Sequence, residues 1–374
     1  MSLIDLPDIQ FVDEDVGNTL QNLITTYEAI SGRTLYPGDP VRIFLHAIAS
    51  IIVQQRVLIN QTAKSNLLRY ATDAILDHLG AFSETTRLQA SSALTTLRFT
   101  LSAPQSWSVG IPMGTRVTSL GDPKLYFSTT TYAEVAVGAT TVEVLAICNQ
   151  QGVVGNGFLV GQINRIVDPL PFIVSASNVT ISSGGAERED DEAYRQRIRT
   201  APESFSVAGP EGAYQYWAKT ASSSIVDIAI ESPAAGEVRI VPLLANGELP
   251  SSEILAKVLE ICNDKRIRPL TDHVTAAAPS PQNYTLDITY WIDQERIVEA
   301  TAIQTAITNA VSEYVSWQKE RLGRAINPSE LIRRAMIAGA LRVDVTSPVY
   351  TTIGETEVAI ASSTTVTFGG FEHA

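Results

Sequence analysis

The sequence predicts a multidomain α+β protein: a helical amino-terminal region, a small β sandwich or barrel, and two mixed α+β domains on the carboxyl side. Three observations carry this. Residues 41–79 contain no Gly or Pro and place apolar side chains at helical spacing. Residues 91–180 switch to alternation and hold only four acids and four bases. After residue 184 charge returns, with strand and helix patterns following one another. The predicted boundaries are 1–88, 89–183, 184–281 and 282–374, and 374 residues suffice for several cores.

Residues 1–39 carry seven acids against one base, Arg33. Within them Leu20, Leu23, Ile24 and Tyr27 recur on one helical face before Ser31-Gly32 ends the segment. Asp39-Pro40 then offers an N-cap acceptor and a pre-set φ, so a second helix begins there. Its first half is apolar most of the way round, which demands cover on several sides. The run Ile43–Val53, broken by His46 and Ser50, falls short of the roughly 20 apolar residues of a membrane span; it reads as a buried helix. A polar stretch, Asn60–Asn66, divides it from a further helix that carries Ala74, Ile75 and Leu79 and stops at Gly80.

In the β domain, Thr96–Leu101 and Thr141–Ile147 read as strands. Turn chemistry stands at Val109-Gly110-Ile111-Pro112, Gly121-Asp122-Pro123 and Gly155-Asn156-Gly157. The Gly152–Gly157 stretch lacks the Lys-Ser/Thr ending of a phosphate loop and reads as a strand-joining turn. Beyond Gly184-Gly185 a helix starts near Asp190, its acids preceding its bases as the helix dipole favours, with Asp191 and Arg195 spaced as an i, i+4 pair. Helices follow at Gly212–Thr220 and Ser251–Asn263, and strands at Ile225–Glu231, Glu237–Leu244 and His273–Ala278. The last domain reads as strand Tyr284–Ile292, helices Val298–Trp317 and Pro328–Ile337, and strands near Val343–Ser347 and in the Thr-rich tail.

A formal charge of −13 and a pI near 4.8 oppose a nucleic-acid backbone or an anionic membrane as partner. The first ten residues lack the basic n-region of a secretory signal. Cys148 and Cys262 are too few for a disulfide framework or a zinc site and read as buried thiols. His46, His78, His273 and His373 are scattered without metal-binding or general-base spacing, and no nucleophile elbow occurs, so no cofactor, metal or catalytic residue is expected. Glu187 with Asp191 could serve glycoside hydrolysis or calcium binding, but first-turn acids ahead of arginines are what a solvated helix start shows anyway. The helical region carries more apolar surface than a short helical unit buries. Helices of other chains would cover it, with Phe44, Ile48, Ile52 and Ile59 as contacts; burial against the chain's own β domain is the competing reading.

The order of motifs resembles the baseplate J-like proteins of contractile phage tails and related injection particles. Tyr70 to Gly80, followed by Arg87 and the strand at Ala90–Leu101, is similar to that family's Leu-Asp-x-Leu-Gly helix, downstream Arg and first strand. Ile111–Val117 resembles its Pro-x-Gly-Thr-x-Val turn, and Gly152–Asn156 its Gly-x-x-Gly-Asn turn. The most specific match runs from Gly184 to Ile198 and includes Gly185, Glu187, Asp190, Asp191, Tyr194, Arg195 and Arg197. It departs at Glu187, where Asp is commoner, and at Asp190, where a hydroxyl is commoner. The resemblance covers residues 40–350. It implies a structural, non-enzymatic subunit of the baseplate wedge, forming a ring around the hub and spike and helping to trigger sheath contraction. The implied partners are other wedge subunits, copies of itself, hub and spike proteins and sheath-proximal proteins. The implied place is the virion or a phage-tail-like particle assembled in the bacterial cytoplasm. Residues 190–199 would be a structural helix start and inter-domain brace. The alternative class is a secreted or surface β-rich carbohydrate-binding protein.

Overall fold

Helix α1 (Val16–Ser31) starts where the Asp15 carboxylate accepts the Asn18 N–H, and ends at Gly32, whose φ of 64° closes the helix in the left-handed conformation. Helix α2 (Pro40–Ser65) is capped by Asp39 as its sequence predicts, but it does not divide at Asn60–Asn66. Those polar residues face the acidic segment before α1 instead. Buried Asn60 accepts the Phe11 and Val12 N–H groups and donates to the Val12 carbonyl and Glu14, and Lys64 pairs with Asp8 at 3.1 Å. Helix α3 (Asp73–Ala81) follows a short turn. The computed structural model describes residues 6–373 apart from Leu120, Asp122, Pro123 and Val207, so most of the predicted Gly121-Asp122-Pro123 turn and the first five residues lie outside the described residues.

The chain divides into two compact units. The first comprises residues 1–87 together with 190–199, which contain most of helix α4 (Asp191–Thr200). The sequence reading placed this helix in the 184–281 domain; its apolar face, Tyr194 and Ile198, instead joins Ala71 and Leu76 in one buried cluster. A second cluster, Ile24, Leu35 and Leu45 with Leu20, Tyr27 and Ile48, holds α1 on α2.

The second unit comprises residues 88–189 and 200–374. Strands β1 (Ser92–Leu101), β3 (Arg116–Ser119), β4 (Tyr126–Thr129), β6 (Thr141–Gln151), β7 (Ile163–Ile166) and β8 (Ile173–Asn178) form a six-stranded antiparallel sheet in the order β7-β3-β4-β6-β1-β8. It curls into a nearly closed barrel over Leu97, Phe99, Val117, Phe127, Ala146 and Ile163. Fully buried Asn178 stitches the two edges: Oδ1 accepts the Ile163 N–H, Nδ2 donates to the Leu159 carbonyl, and the Asn178 carbonyl accepts the Gly161 N–H. Val109–Ile111, expected as a turn, is strand β2, paired with β5 (Ala133–Val135); the reversal falls at Pro112–Gly114.

Next, α5 (Glu211–Lys219) and α6 (Ser252–Cys262) pack on a sheet of β9 (Ile225–Glu231), β10 (Glu237–Leu244) and β11 (His273–Ala276), ordered β11-β10-β9. The β10–β11 pair is parallel, as its α6 crossover requires. The last sheet places β12 (Ser280–Asp293) between antiparallel β13 (Arg342–Ser347) and parallel β14 (Glu357–Glu372), covered by α7 (Ala300–Lys319) and α8 (Pro328–Ile337). A mixed α+β architecture, with amino-terminal helices, a barrel and two mixed sheets, is what the pattern predicts.

Candidate assembly interface

The Gly184–Arg197 signature does two separate jobs. On the barrel side, the glycine pair interlocks with the Gly152–Asn156 turn. A Cβ on Gly185 would stand 2.3 Å from the Gly152 carbonyl oxygen, and the Asn156 side chain both accepts from the Gly185 N–H and donates to its carbonyl. Glu187 accepts the Val153 N–H at 3.2 Å. The two glycine motifs, distant in sequence, are therefore one structural lock.

Within the helical unit, α4 supplies donors for carbonyls of the segments that link and follow α2 and α3. Asp190 caps the helix by accepting the Ala193 N–H. Arg195 donates from Nε to the Leu68 carbonyl at 2.7 Å and from Nη2 to the Ala71 carbonyl at 2.8 Å, and Arg197 donates to the Thr86 carbonyl. The predicted Asp191–Arg195 pair does not form. Arg195 bonds Glu192 one turn earlier, because Asp191 is taken by Arg87 at 2.7 Å and by the Asp73 N–H at 3.0 Å. The Asp73 amide first, and the Arg87 guanidinium after it, hold the Asp191 carboxyl below the usual carboxylate range. Arg87 also bonds Asp77 and stacks 4.5 Å over the Tyr194 ring, whose hydroxyl donates to the Thr85 carbonyl. Gly80, predicted as a helix stop, lies within this packing: a Cβ there would be 2.0 Å from the Tyr194 hydroxyl.

This arrangement has no acid–base chemistry to offer. A glycosidase needs one carboxyl held protonated near neutrality, whereas Asp191 is pushed the other way and Glu187 is bound to backbone. Burial raises the Cys148 thiol and pushes Cys262 up to about 12, which removes both as nucleophiles. All four histidines are exposed, and among the described residues no group of His, Cys, Asp and Glu is arranged to hold a metal ion.

The exposed face of α2 is the other notable surface. Expected as a buried helix, α2 leaves Ile43, Phe44, Ile51, Leu58 and Ile59 at least half exposed. Its 26 residues are long and apolar enough to cross a membrane by length and composition alone, although Arg56, Asn60 and Lys64 break its second half. Of the predicted contact residues, Phe44 and Ile59 face outward, Ile52 is half-buried, and Ile48 packs inward on α1. Ile51 and Leu58, not among the expected contacts, are exposed on the same helix. The signal that finds them is the seven-residue spacing of Phe44, Ile51 and Leu58.

Four domain models of a single family match the chain in order: the Baseplate J-like N-terminal domain at 38–93, the barrel domain at 96–185, the central domain at 206–278 and the C-terminal domain at 286–369. Baseplate protein J of Escherichia phage P2 is 31% identical over 200 residues, which cover 53% of this chain and 65% of that protein; the match thus spans just under two thirds of the relative. A chain in the cryo-EM structure of the anti-feeding prophage baseplate aligns over 92% of this chain and 90% of its own length, at 12% identity and a TM-score of 0.38.

Proposed function

The chain belongs to the baseplate J-like family, whose members are structural baseplate proteins rather than enzymes, and from that premise we propose that it is a structural subunit of the baseplate wedge in a contractile phage tail or phage-tail-like particle. The observation that carries this reading is the run of four family domains in their proper order over most of the chain. In this reading copies of the chain sit in a ring around the hub and spike, the particle assembles in the host cytoplasm, and a rearrangement of the ring helps to trigger the sheath.

The outward face of α2 supports a role in assembly. Phe44, Ile51 and Leu58 recur at the coiled-coil interval, and exposed side chains of this size are costly unless a partner covers them. Helices of other wedge subunits are the proposed cover, with Phe44 and Ile59 as contacts and Ile52 at the margin.

The test is affinity isolation of the tagged chain from cells producing its particle, with mass spectrometry and electron microscopy of the eluate. Sheath, tube and spike proteins should arrive on intact tail ends. The double variant Phe44→Asp/Ile51→Asp should keep the wild-type circular dichroism and barrel amide protection yet be missing from particles, whereas Ile48→Asp should loosen the α1–α2 pair itself. Normal incorporation of the double variant would remove α2 as the interface. A solitary wild-type chain beside intact tails would favour a β-rich carbohydrate-binding protein instead.

A further inference from the structure

Asparagine followed by glycine occurs twice in the chain, at Asn156-Gly157 and at Asn246-Gly247. Glycine has no Cβ to keep its backbone nitrogen away from the preceding carboxamide, so that nitrogen can attack the asparagine Cγ. Whether it does so depends on how firmly the fold holds the two groups apart.

At the first pair both reactants are held. The Asn156 Oδ1 accepts the Gly185 N–H at 2.9 Å and its Nδ2 donates to the Gly185 carbonyl at 2.8 Å. The Gly157 N–H, which would have to attack, donates to the Ser182 carbonyl at 2.8 Å. Reaction there has to break this set of bonds first.

The second pair is the opposite case. Asn246 is exposed in the turn between β10 and α6, and its carboxamide makes no hydrogen bond among the described residues. The bonds that close the turn are long: Leu244 N–H to the Glu248 carbonyl at 3.2 Å, and Glu248 N–H to the Ala245 carbonyl at 3.3 Å. Asn246 sits at φ 60° and ψ 15°, a left-handed conformation that asparagine tolerates. Attack requires rotation about that ψ, and a surface turn closed by weak bonds opens locally to allow it. The fold also retains the reactive glycine. Gly247 has a φ of 71°, and a Cβ there would stand 2.8 Å from the Lys319 Cβ, so a bulkier residue that would slow the attack does not fit.

We propose that Asn246-Gly247 is a self-modification site at which the folded chain converts Asn246 to aspartate and isoaspartate. The Gly247 nitrogen gives up its proton and bonds the Asn246 Cγ, the Cγ–Nδ2 bond breaks, and ammonia leaves with a proton in exchange, which closes a cyclic imide. Water then opens the imide at either of its two C–N bonds. One opening gives aspartate, and the other gives isoaspartate, whose main chain runs through Cγ. Water is the only other reactant, and nothing is oxidised or reduced. Each conversion adds one negative charge to an open cavity of about 610 Å³ that Asn246 helps to line, where Glu248 is the single charged side chain among the described residues. This inference stands apart from the baseplate reading, since it rests on the turn alone.

The experiment holds the full chain in warm, mildly alkaline buffer and samples it over days. Isoelectric focusing reads the added charge, and peptide mass mapping with fragmentation that separates aspartate from isoaspartate reads its position. In the folded chain Asn246 should convert at least about tenfold faster than Asn156, the ratio that two lost hydrogen bonds imply. In guanidinium chloride, with both turns unfolded, the two should convert at similar rates. Asn246→Gly, a residue that accepts the same φ, should remove the early acidic band. Equal conversion of Asn156 and Asn246 in the folded chain, or a folded chain whose Asn246 stays intact until the unfolded chain has converted completely, would overturn the proposal.

Discussion

The helical unit and the barrel solve the same problem by opposite means. The barrel buries an alternating set of side chains, Leu97, Phe99, Val117, Phe127 and Ile163 among them, and closes with an amide side chain at its seam. The helical unit has two small apolar clusters and leans on arginines that reach carbonyls in the segments between and after its helices. It also leaves its longest helix half uncovered. A domain with its own dry core is finished when folded; one built on charge-assisted bonds leaves an apolar face of its longest helix exposed.

Perturbing each region where its own device is strongest sharpens the contrast. Phe99→Ala, at a fully buried position, should cost the barrel about 3–5 kcal/mol through lost burial and the cavity left behind. Denaturant unfolding followed by amide exchange in β1 and β6 would measure it. Arg195→Ala should cost the helical unit about 2 kcal/mol, because the Leu68 and Ala71 carbonyls lose a charged donor. Arg195→Lys should not restore the loss, since an ammonium cannot span both carbonyls as the planar fork does. If exchange in α3 and α4 is indifferent to Arg195→Ala, the contrast between the two regions is broken.

The smallest effect is acid sensitivity. The folded-state pKa of Asp191 is depressed, so its contribution is present above the unfolded value of about 3.9 and is lost as pH falls below that through the folded value. Exchange in α3 and α4 should therefore quicken below about pH 4, and Asp191→Asn should flatten that dependence. The barrel has a depressed carboxyl too, Asp168 beside Arg116, but that pair is exposed and largely screened. Added salt should erase the barrel's share and spare the helical unit's.

Local chemistry was legible in the sequence, and distant chemistry was not. The Asp39-Pro40 start, the Gly32 stop, strands β9 and β10 and helix α8 stand where periodicity and capping put them, because each is decided within a few residues. The Asn60–Asn66 stretch misled because its polar side chains answer to residues 8–14, nearly fifty positions away. Arg195 was assigned to Asp191 by spacing alone, without the competing claim of Arg87 on that carboxylate. On α2 the count of apolar residues exposed a surplus. Which of them turn outward depended on where α1 lies: Ile48, expected as a contact, packs inward on α1, and Ile51, not among the expected residues, is exposed.

The placement of α4 also dictates an order of events during synthesis. Residues 1–87 leave the ribosome without the tyrosine that fills the space above Gly80 and without the arginine bound to Leu68, which lies 127 positions upstream of it. Every residue of the barrel must be made in between. The barrel itself shortens the wait: Ser91 bridges Ala186, and the Leu88 N–H reaches the Glu189 carboxylate at 3.0 Å, so its closure brings together the two points where the chain enters and leaves it. Much of the loop entropy that α4 would otherwise lose in finding its place is thereby spent on strand pairing first. A released chain truncated at residue 189 should carry a folded barrel and unfinished helices, its first 87 residues cut by proteases faster than in the full chain.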